Sequence, residues 1–186
     1  MIFIFTGCLV FIFFYIFDLN KIKYLNKNIN IYFVAGIVLL VASTVGILFE
    51  NHKYFEVSIP LKLLFGTLSI GSLLLLLYTL FAALPYSKTY LEVEQGTVID
   101  RGMYAFCRHP GVIWFFLFYL FLWLASGKMM MMWAGIVWTI MDIIYVYVED
   151  RWFFPKTLNG YDRYKLEVPF LIPNLASIKK YIITSI

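Results

Sequence analysis

Two short polar segments contain the side chains best able to do chemistry in this sequence. The first reads RGMYAFCRHP (101–110), and the second begins EDR (149–151). Pro110 suits the first turn of a helix, because the backbone N–H that proline lacks is not needed there. A helix start offers N–H groups and a positive dipole end, which together favour an anion. Arg108 and His109 add donors, so we expect an anion site here or, as the simpler alternative, an arginine fastened to lipid headgroups beside a loop-capping histidine.

Acidic and phenolic side chains share one face of the helix that leads into the second segment. Asp142, Tyr145 and Glu149 stand at positions i, i+3 and i+7, so an α-helix places them on the same side. An acid within a membrane costs roughly 2.5–3.5 kcal/mol, so Asp142 is expected to face protein or water. The alternative is that these acids pair with neighbouring basic residues.

The elements that must position these residues are apolar helices. The chain of 186 residues is 62% hydrophobic and 14% charged, and its mean hydropathy is +0.83. A soluble domain of this size cannot bury so much apolar surface, so the composition predicts an all-α integral membrane protein, as one domain over 1–186. Apolar runs of roughly 20 residues mark membrane spans. They predict about five spans: Met1–Phe17, Ile31–Phe49, Leu63–Leu84, Gly111–Ser126 and Met129–Val148. Gly127 and Lys128 alone separate the last two, which predicts a tight helical hairpin.

The distribution of basic residues predicts how the chain crosses the membrane. Twelve lysines and arginines lie after span one, between spans three and four, and after span five, whereas Lys53, Lys62 and Lys128 lie on the other side. The positive-inside rule puts the twelve in the cytoplasm and the N-terminus outside, in the plasma membrane. The final NLASIKKYIITSI (174–186) is expected to form an amphipathic helix on the membrane surface, with its lysines among the headgroups.

Other features argue against several classes of function. The net charge of +4 is explained by membrane anchoring, so no nucleic-acid partner is expected. Cys8 lies within span one and Cys107 in a polar segment, so no disulfide is expected between them. Two cysteines and two histidines do not make a metal-ligand set, so no metal is expected. A glycine-rich phosphate-binding turn is absent, so a nucleotide-like cofactor would need a different kind of pocket.

The two polar segments also resemble a known pair of motifs. RGMYAFCRHP resembles the G-x-Y-x-x-x-R-H-P signature of the isoprenylcysteine carboxyl methyltransferase family, and EDRWFFPKTLNGYDRYKLEVPFLIP (149–173) resembles its second signature. Membrane phospholipid methyltransferases are related. The resemblance covers about 85–175. Val112 and Trp114 stand where the family often has tyrosine and glycine, and Glu149 and Asp150 replace two glutamates.

The resemblance implies an S-adenosylmethionine-dependent methyltransferase whose site opens sideways to the bilayer at the cytoplasmic face. It implies a lipophilic or lipidated acceptor, such as an isoprenylcysteine-like carboxylate, with membrane lipids around it. Glu149 and Arg151 would be the catalytic pair, Glu149 as base for a neutral acceptor and Arg151 steering an anionic acceptor or holding Glu149. The residues that it assigns to the cofactor are Tyr104, Arg108, His109, Pro110, Asp150, Tyr161 and Tyr164.

Three other interpretations stay open at this point. The chain resembles phospholipid N-methyltransferases in layout, and a lipid-facing site would serve a headgroup, an isoprenoid acid or a xenobiotic thiol equally well. Membrane sterol reductases carry related signatures in their C-terminal halves and bind NADPH, although they are longer proteins. A non-enzymatic membrane protein is the third. The polar residues argue against a transport pathway, because they gather at one membrane face and only Asp142 is placed near mid-membrane.

Overall fold

The computed structural model of the chain describes residues 1–24, 26–51, 55–82 and 96–184. The protein is an all-α membrane protein, as predicted. Its helices are α1 (Ile2–Leu19), α2 (Ile31–Phe49), α3 (Ile59–Leu77), α4 (Met103–Phe106), α5 (Pro110–Ser126), α6 (Met129–Val148), α7 (Phe154–Thr157), α8 (Tyr161–Glu167) and α9 (Leu175–Thr184). Two strands of two residues, β1 (Gly96–Thr97) and β2 (Leu158–Asn159), pair in parallel. The alternation of Tyr90, Glu92 and Glu94 in the sequence predicts a short extended piece, and this segment lies outside the described residues.

Within the described residues, four continuous helical segments are long and apolar enough to cross a membrane: Ile2–Lys23, Asn28–Phe49, Ile59–Ala82 and Met129–Thr157. The fifth predicted span, α5, is apolar but has 17 residues, which is at the short limit for a bilayer. In lipid a helix is the form in which a chain satisfies all its backbone hydrogen bonds locally, which is why the apolar runs fold this way. The bounds of α2 and α6 coincide with the predicted ones.

The start of the third span and the end of the first are among the boundaries that differ from the prediction. The third helix begins at Ile59 rather than Leu63, because Pro60 is tolerated in a first helical turn and Lys62 is accommodated within it. The first helix continues past Phe17 into a π-helical turn, Asn20–Tyr24. Just before this turn, in α1, Asp18 accepts a hydrogen bond of 2.6 Å from the hydroxyl of Tyr145. The helix can therefore continue past Phe17, because the polar side chain of Asp18 has a partner within the protein.

The turn between α5 and α6 is as tight as predicted. Gly127 has a φ of +69°, a conformation that side chains disfavour, and a Cβ there would collide with the carbonyl oxygen of Phe55. The Phe55 N–H donates to the carbonyl of Gly127 over 3.3 Å, and the Lys128 ammonium donates to the carbonyl of Glu50. Backbone contacts therefore fix the hairpin turn.

The chain divides into two compact units. The first comprises Met1–Ser72 and Phe115–Tyr145, and the second Leu73–Trp114 and Val146–Ile186. In the first unit the indole of Trp138 is fully buried and donates to the carbonyl of Ile4 over 3.0 Å. This hydrogen bond ties α6 to α1 within the unit.

The second unit holds both polar segments of the sequence. Its core contains Tyr161, Tyr164 and Val168, with Leu158 of β2 packed against them. The helix α8 ends at Glu167, and Val168 is extended before Pro169, as expected for a residue that precedes proline. The helix α9 packs against α4. This unit contains the candidate site.

Candidate functional site

The centre of the site is the carboxylate of Asp150, whose side chain is 5% exposed. Its Oδ1 accepts hydrogen bonds from Nε of Arg108 over 2.8 Å and from the hydroxyl of Tyr161 over 2.7 Å. Its Oδ2 accepts from the second guanidinium nitrogen of Arg108 over 3.2 Å, and Nζ of Lys165 lies 3.6 Å away. A buried charge needs such partners, because burial without them costs several kcal/mol. Asp150 therefore joins the two polar segments.

Arg108 extends this connection to the backbone. One terminal nitrogen of its guanidinium donates to the carbonyls of Lys165 and Val168 over 3.0 and 2.8 Å. Its backbone N–H donates to the carbonyl of Pro169 over 2.9 Å. Arginine suits this place because its planar group presents several donors in fixed directions. The start of α5 and the end of α8 are thereby held in one arrangement.

His109 lies next to the same carboxylate, 3.4 Å from its Oδ1 through Nε2. The imidazole stacks on Phe154 and meets the edge of Phe170. Burial lowers the pKa of His109 and outweighs the neighbouring Asp150, which acts in the opposite direction. The imidazole is therefore neutral at neutral pH, and its backbone N–H is used in a hydrogen bond of 3.2 Å to the carbonyl of Phe170.

The predicted tyrosines are tied into the same scaffold by their hydroxyl groups. Tyr161 donates to Asp150, while Tyr164 donates to the carbonyl of Tyr104 over 2.7 Å. The hydroxyl of Tyr104 donates to the carbonyl of Thr79 over 3.0 Å. Burial raises the pKa of Tyr161 and of Tyr164, so both are neutral donors. Their role in the described structure is to hold the site in place.

An open recess of about 270 Å³ lies beside this cluster. We call it the polar recess, and its lining residues are Arg108, Tyr147, Asp150, Arg151, Lys165 and Phe170. Three of these are cations and one is an acid, so the lining carries a net positive charge. The rings of Tyr147 and Phe170 add apolar and π surface, and the guanidinium of Arg151 lies 5.8 Å from the Tyr147 ring centre. Such a lining suits a ligand that has an anionic group for the cations and a flat or cationic group for the aromatic rings.

The path of the chain explains why these groups meet. After Val148 the long helix changes to a π-helical turn, Glu149–Phe153, and this turn presents Asp150 and Arg151 to the recess. π-Helical turns are rare and occur often at functional sites. Gly160 then adopts a φ of +83°, which reverses the chain into α8. Glu149 is half-buried in the same π-helical turn.

No family model, curated protein or solved structure matches the chain. The resemblance of the two motifs to methyltransferases therefore stays a prediction that rests on the residues alone. The structure assembles most of those residues in one place. Arg108, Asp150 and Arg151 line the polar recess. His109 and Tyr161 contact Asp150, and Tyr164 donates to the carbonyl of Tyr104. Pro110 is fully buried at the first turn of α5, as predicted.

Asp142 and Tyr145 belong to the first unit and Glu149 to the second, and their shared helical face stays a prediction. Cys8 and Cys107 are both free thiols. Burial raises the pKa of Cys107 to about 12, so this thiol stays protonated and is not a nucleophile.

Sequence reasoning missed Tyr147, Lys165 and Phe170, which also line the polar recess. Tyr147 precedes Arg151 by four residues, a helical spacing that favours contact, and this pair was open to prediction. Lys165 directly follows Tyr164 and lies within the second motif, residues 149–173. No pattern in the sequence marks Phe170, which reaches the recess because Arg108 and His109 bind the carbonyls of Pro169 and Phe170.

Proposed function

We propose that this protein is an S-adenosylmethionine-dependent methyltransferase that acts on a lipophilic acceptor at the cytoplasmic face of the plasma membrane. The observation that carries the proposal is the polar recess, which has a cationic and aromatic lining. The two motifs meet there, because Arg108 of the first binds Asp150 of the second, 42 residues later in the sequence. The acceptor that fits best is a carboxylate on a lipidated or isoprenoid molecule. The cytoplasmic orientation rests on the distribution of basic residues, twelve against three.

The donors in the recess fit the two ends of such a cofactor. Arg151 and Lys165 supply cations for its amino-acid carboxylate. Arg108 also lines the recess, but its guanidinium is paired with Asp150. The rings of Tyr147 and Phe170 supply π faces for a sulfonium or an adenine ring. Small-molecule pockets measure about 300–1,000 Å³, so a recess of about 270 Å³ suits the polar end of a ligand better than its full length.

The chemistry asks little of the protein beyond alignment and the exclusion of water. When bound, the cofactor supplies a methyl group on a sulfonium, whose S–CH3 bond breaks toward sulfur as the acceptor oxygen forms the new O–CH3 bond. A carboxylate acceptor loses no proton, so the site has only to orient it. A neutral amine, phenol or thiol must lose a proton, and Glu149, which is half-buried and directly precedes Asp150 in the sequence, is the general base for that case.

A thermal-shift titration of the full chain in detergent tests the cofactor. A ligand at about 100 times its Kd adds about 2.7 kcal/mol of stability. We expect S-adenosylmethionine and S-adenosylhomocysteine to raise the unfolding temperature and NADPH to have no effect. The variant Arg151→Gln should lose most of the shift, whereas Arg163→Gln, at an exposed arginine away from the recess, should keep it. A response to NADPH alone, whose phosphates also suit three cations, would replace the proposal with a reductase.

The variant Glu149→Gln tests the general base. With labelled S-adenosylmethionine and a neutral amine or thiol acceptor, we expect loss of turnover while cofactor binding by thermal shift persists. With an isoprenylcysteine-like carboxylate, turnover should continue because no proton is removed. Wild-type turnover of the neutral acceptor by this variant would remove Glu149 from the chemistry.

A further inference from the structure

The helix α9 presents its apolar side outward and its polar side to the protein. Its apolar residues follow the spacing i, i+3, i+7 and i+8, which normally marks a face that packs on a core. Here this face is exposed: Leu175 by 80%, Ile178 by 36%, Ile182 by 55% and Ile183 by 74%. We call these four residues the outer face of α9. Such an arrangement needs an explanation, because contiguous apolar surface in water is unfavourable.

The inward side of α9 is held by specific polar contacts. Ser177 is 1% exposed and exchanges hydrogen bonds with Asn174, which caps the helix. The hydroxyl of Thr184 accepts from the N–H of Gly102, at the start of α4, over 3.1 Å. The ring of Tyr181 meets the edge of Phe106 with centres 5.8 Å apart. The outward position of the apolar face is therefore fixed by contacts on the opposite side.

Lys180 adds charge to this inward side. Its ammonium donates to carboxylates of Asp100 and Glu167 over 2.9 and 3.2 Å. The expectation that both lysines of this helix extend into headgroups is therefore wrong for Lys180, which is used within the protein. Lys179 is exposed and stands between Leu175 and Ile183 along the outer face. A lysine in this position can lay its stem along apolar surface and place its ammonium in a headgroup layer.

Chain length places α9 near the membrane entry of α5. Phe106, which contacts Tyr181, precedes Pro110 by four residues and so lies within about 14 Å of it. The carbonyl of Phe170 accepts from the N–H of His109, which immediately precedes α5. The exposed Ile172 follows two residues later. The helix α5 has 17 residues, or about 26 Å, which is less than the roughly 30 Å of a hydrocarbon core, so its start stays close to the headgroup layer.

We propose that the outer face of α9 rests in the headgroup layer of the bilayer, with the helix parallel to the membrane plane. The occupant of this face is lipid, because α9 is tethered to α4, which ends four residues before the start of α5, and because the face carries a central lysine suited to headgroups. Helices of this kind lie with their apolar side about 5–10 Å into the boundary of headgroups and acyl chains. The inference goes beyond methyl transfer and stands without it.

Spin-label accessibility tests this position directly. In the full chain, Cys8 and Cys107 would be replaced by alanine, and a single cysteine would be introduced as Leu175→Cys or Ile182→Cys. Each variant would be spin-labelled and reconstituted in phosphatidylcholine vesicles containing phosphatidylglycerol. Arg163→Cys, at a side chain that is 86% exposed, is the matched control. We expect frequent collision with oxygen and little with a water-soluble nickel complex at 175 and 182, and the reverse at 163.

Each other result overturns the inference. Frequent nickel collision at 175 and 182 would mean that the outer face lies in water. Infrequent collision with both reagents would mean that protein, such as a second copy of the chain, covers it. If the cysteine-free chain does not fold, the wild-type chain can be photolabelled with a phospholipid that carries a carbene precursor near its headgroup. Adducts within Leu175–Thr184 are then expected, and their absence beside labelled spans would equally reject lipid contact.

Discussion

Asp150 illustrates how one buried carboxylate can hold a site together. It accepts from Arg108 and Tyr161 and lies within 3.6 Å of the ammonium of Lys165. Replacing it with asparagine leaves the guanidinium of Arg108, itself only 10% exposed, without its counter-charge. Breaking a buried ion pair from one side costs about 3–5 kcal/mol.

We therefore expect Asp150→Asn to lower the free energy of unfolding by about 3–5 kcal/mol, measured by denaturant or thermal unfolding in detergent. The matched control is Asp162→Asn, which makes the same change at an exposed acid of α8 and should have almost no effect. Equal stability of the two variants would show that the Arg108–Asp150 pair is not a stabilising interaction.

His109 predicts a pH dependence of stability. Its folded pKa is lowered from the ordinary value of 6.5, mainly because burial disfavours the charged ring. The unfolded chain then binds a proton more readily than the folded chain, so the stability that the neutral ring provides is present above pH 6.5 and is lost as the pH falls below it. The unfolding temperature should drop as the pH falls below 6.5, and His109→Gln should flatten this part of the curve. An unchanged slope in the variant would assign it to other groups.

At the scale of single residues, the sequence identified Arg108 and His109 through their types and local position, and Asp150 and Tyr161 through the resemblance of the two motifs. It could not identify their mutual contacts, since Arg108 and Asp150 are 42 positions apart and no local pattern reports a contact over that distance. Phe170 could not be predicted at all, because an aromatic residue in an apolar chain is unremarkable until the backbone around it is fixed.

At the scale of elements, the turn before α8 depends on one glycine. Gly160 has a φ of +83° and open space around its Cβ position, so the backbone conformation is the sole obstacle to a side chain there. We expect Gly160→Ala to cost about 1–2 kcal/mol in unfolding measurements.

The matched control for this substitution is Gly66→Ala. Gly66 also has open space but lies within α3 in a helical conformation, so alanine should cost nothing there and can add roughly 0.5–1 kcal/mol. If both variants behaved alike, the left-handed conformation at Gly160 would not be important for the fold.

The boundaries of the helices show what apolar patterning can and cannot predict. The apolar runs predicted α2 and α6 to the residue, because the ends of these runs coincide with polar residues. The π-helical turn at Glu149–Phe153 was beyond such reasoning, since its residues carry no periodicity that separates it from an α-helix. That turn is nevertheless the element that directs Asp150 and Arg151 to the recess.

At the scale of the whole molecule, the distribution of basic residues makes a prediction about orientation. The tail after α6 carries six lysines and arginines and should lie in the cytoplasm. A single cysteine at Arg163→Cys should therefore resist a membrane-impermeant maleimide in intact cells and react after permeabilisation. A cysteine at Ile2→Cys, at the other end of the chain, should react in intact cells. Reaction of the first position in intact cells would reverse the topology.

The hydrogen bonds of Arg108 also have a consequence for biosynthesis. All the partners described above for its guanidinium, the carboxylate of Asp150 and the carbonyls of Lys165 and Val168, are translated later than Arg108 itself. Until the ribosome has added these residues, Arg108 lies at the start of an apolar helix without its hydrogen-bond partners. A nascent chain that stops before Asp150 would leave this arginine without its counter-charge beside the membrane. The closing segment of the chain thus completes the fold as well as the recess.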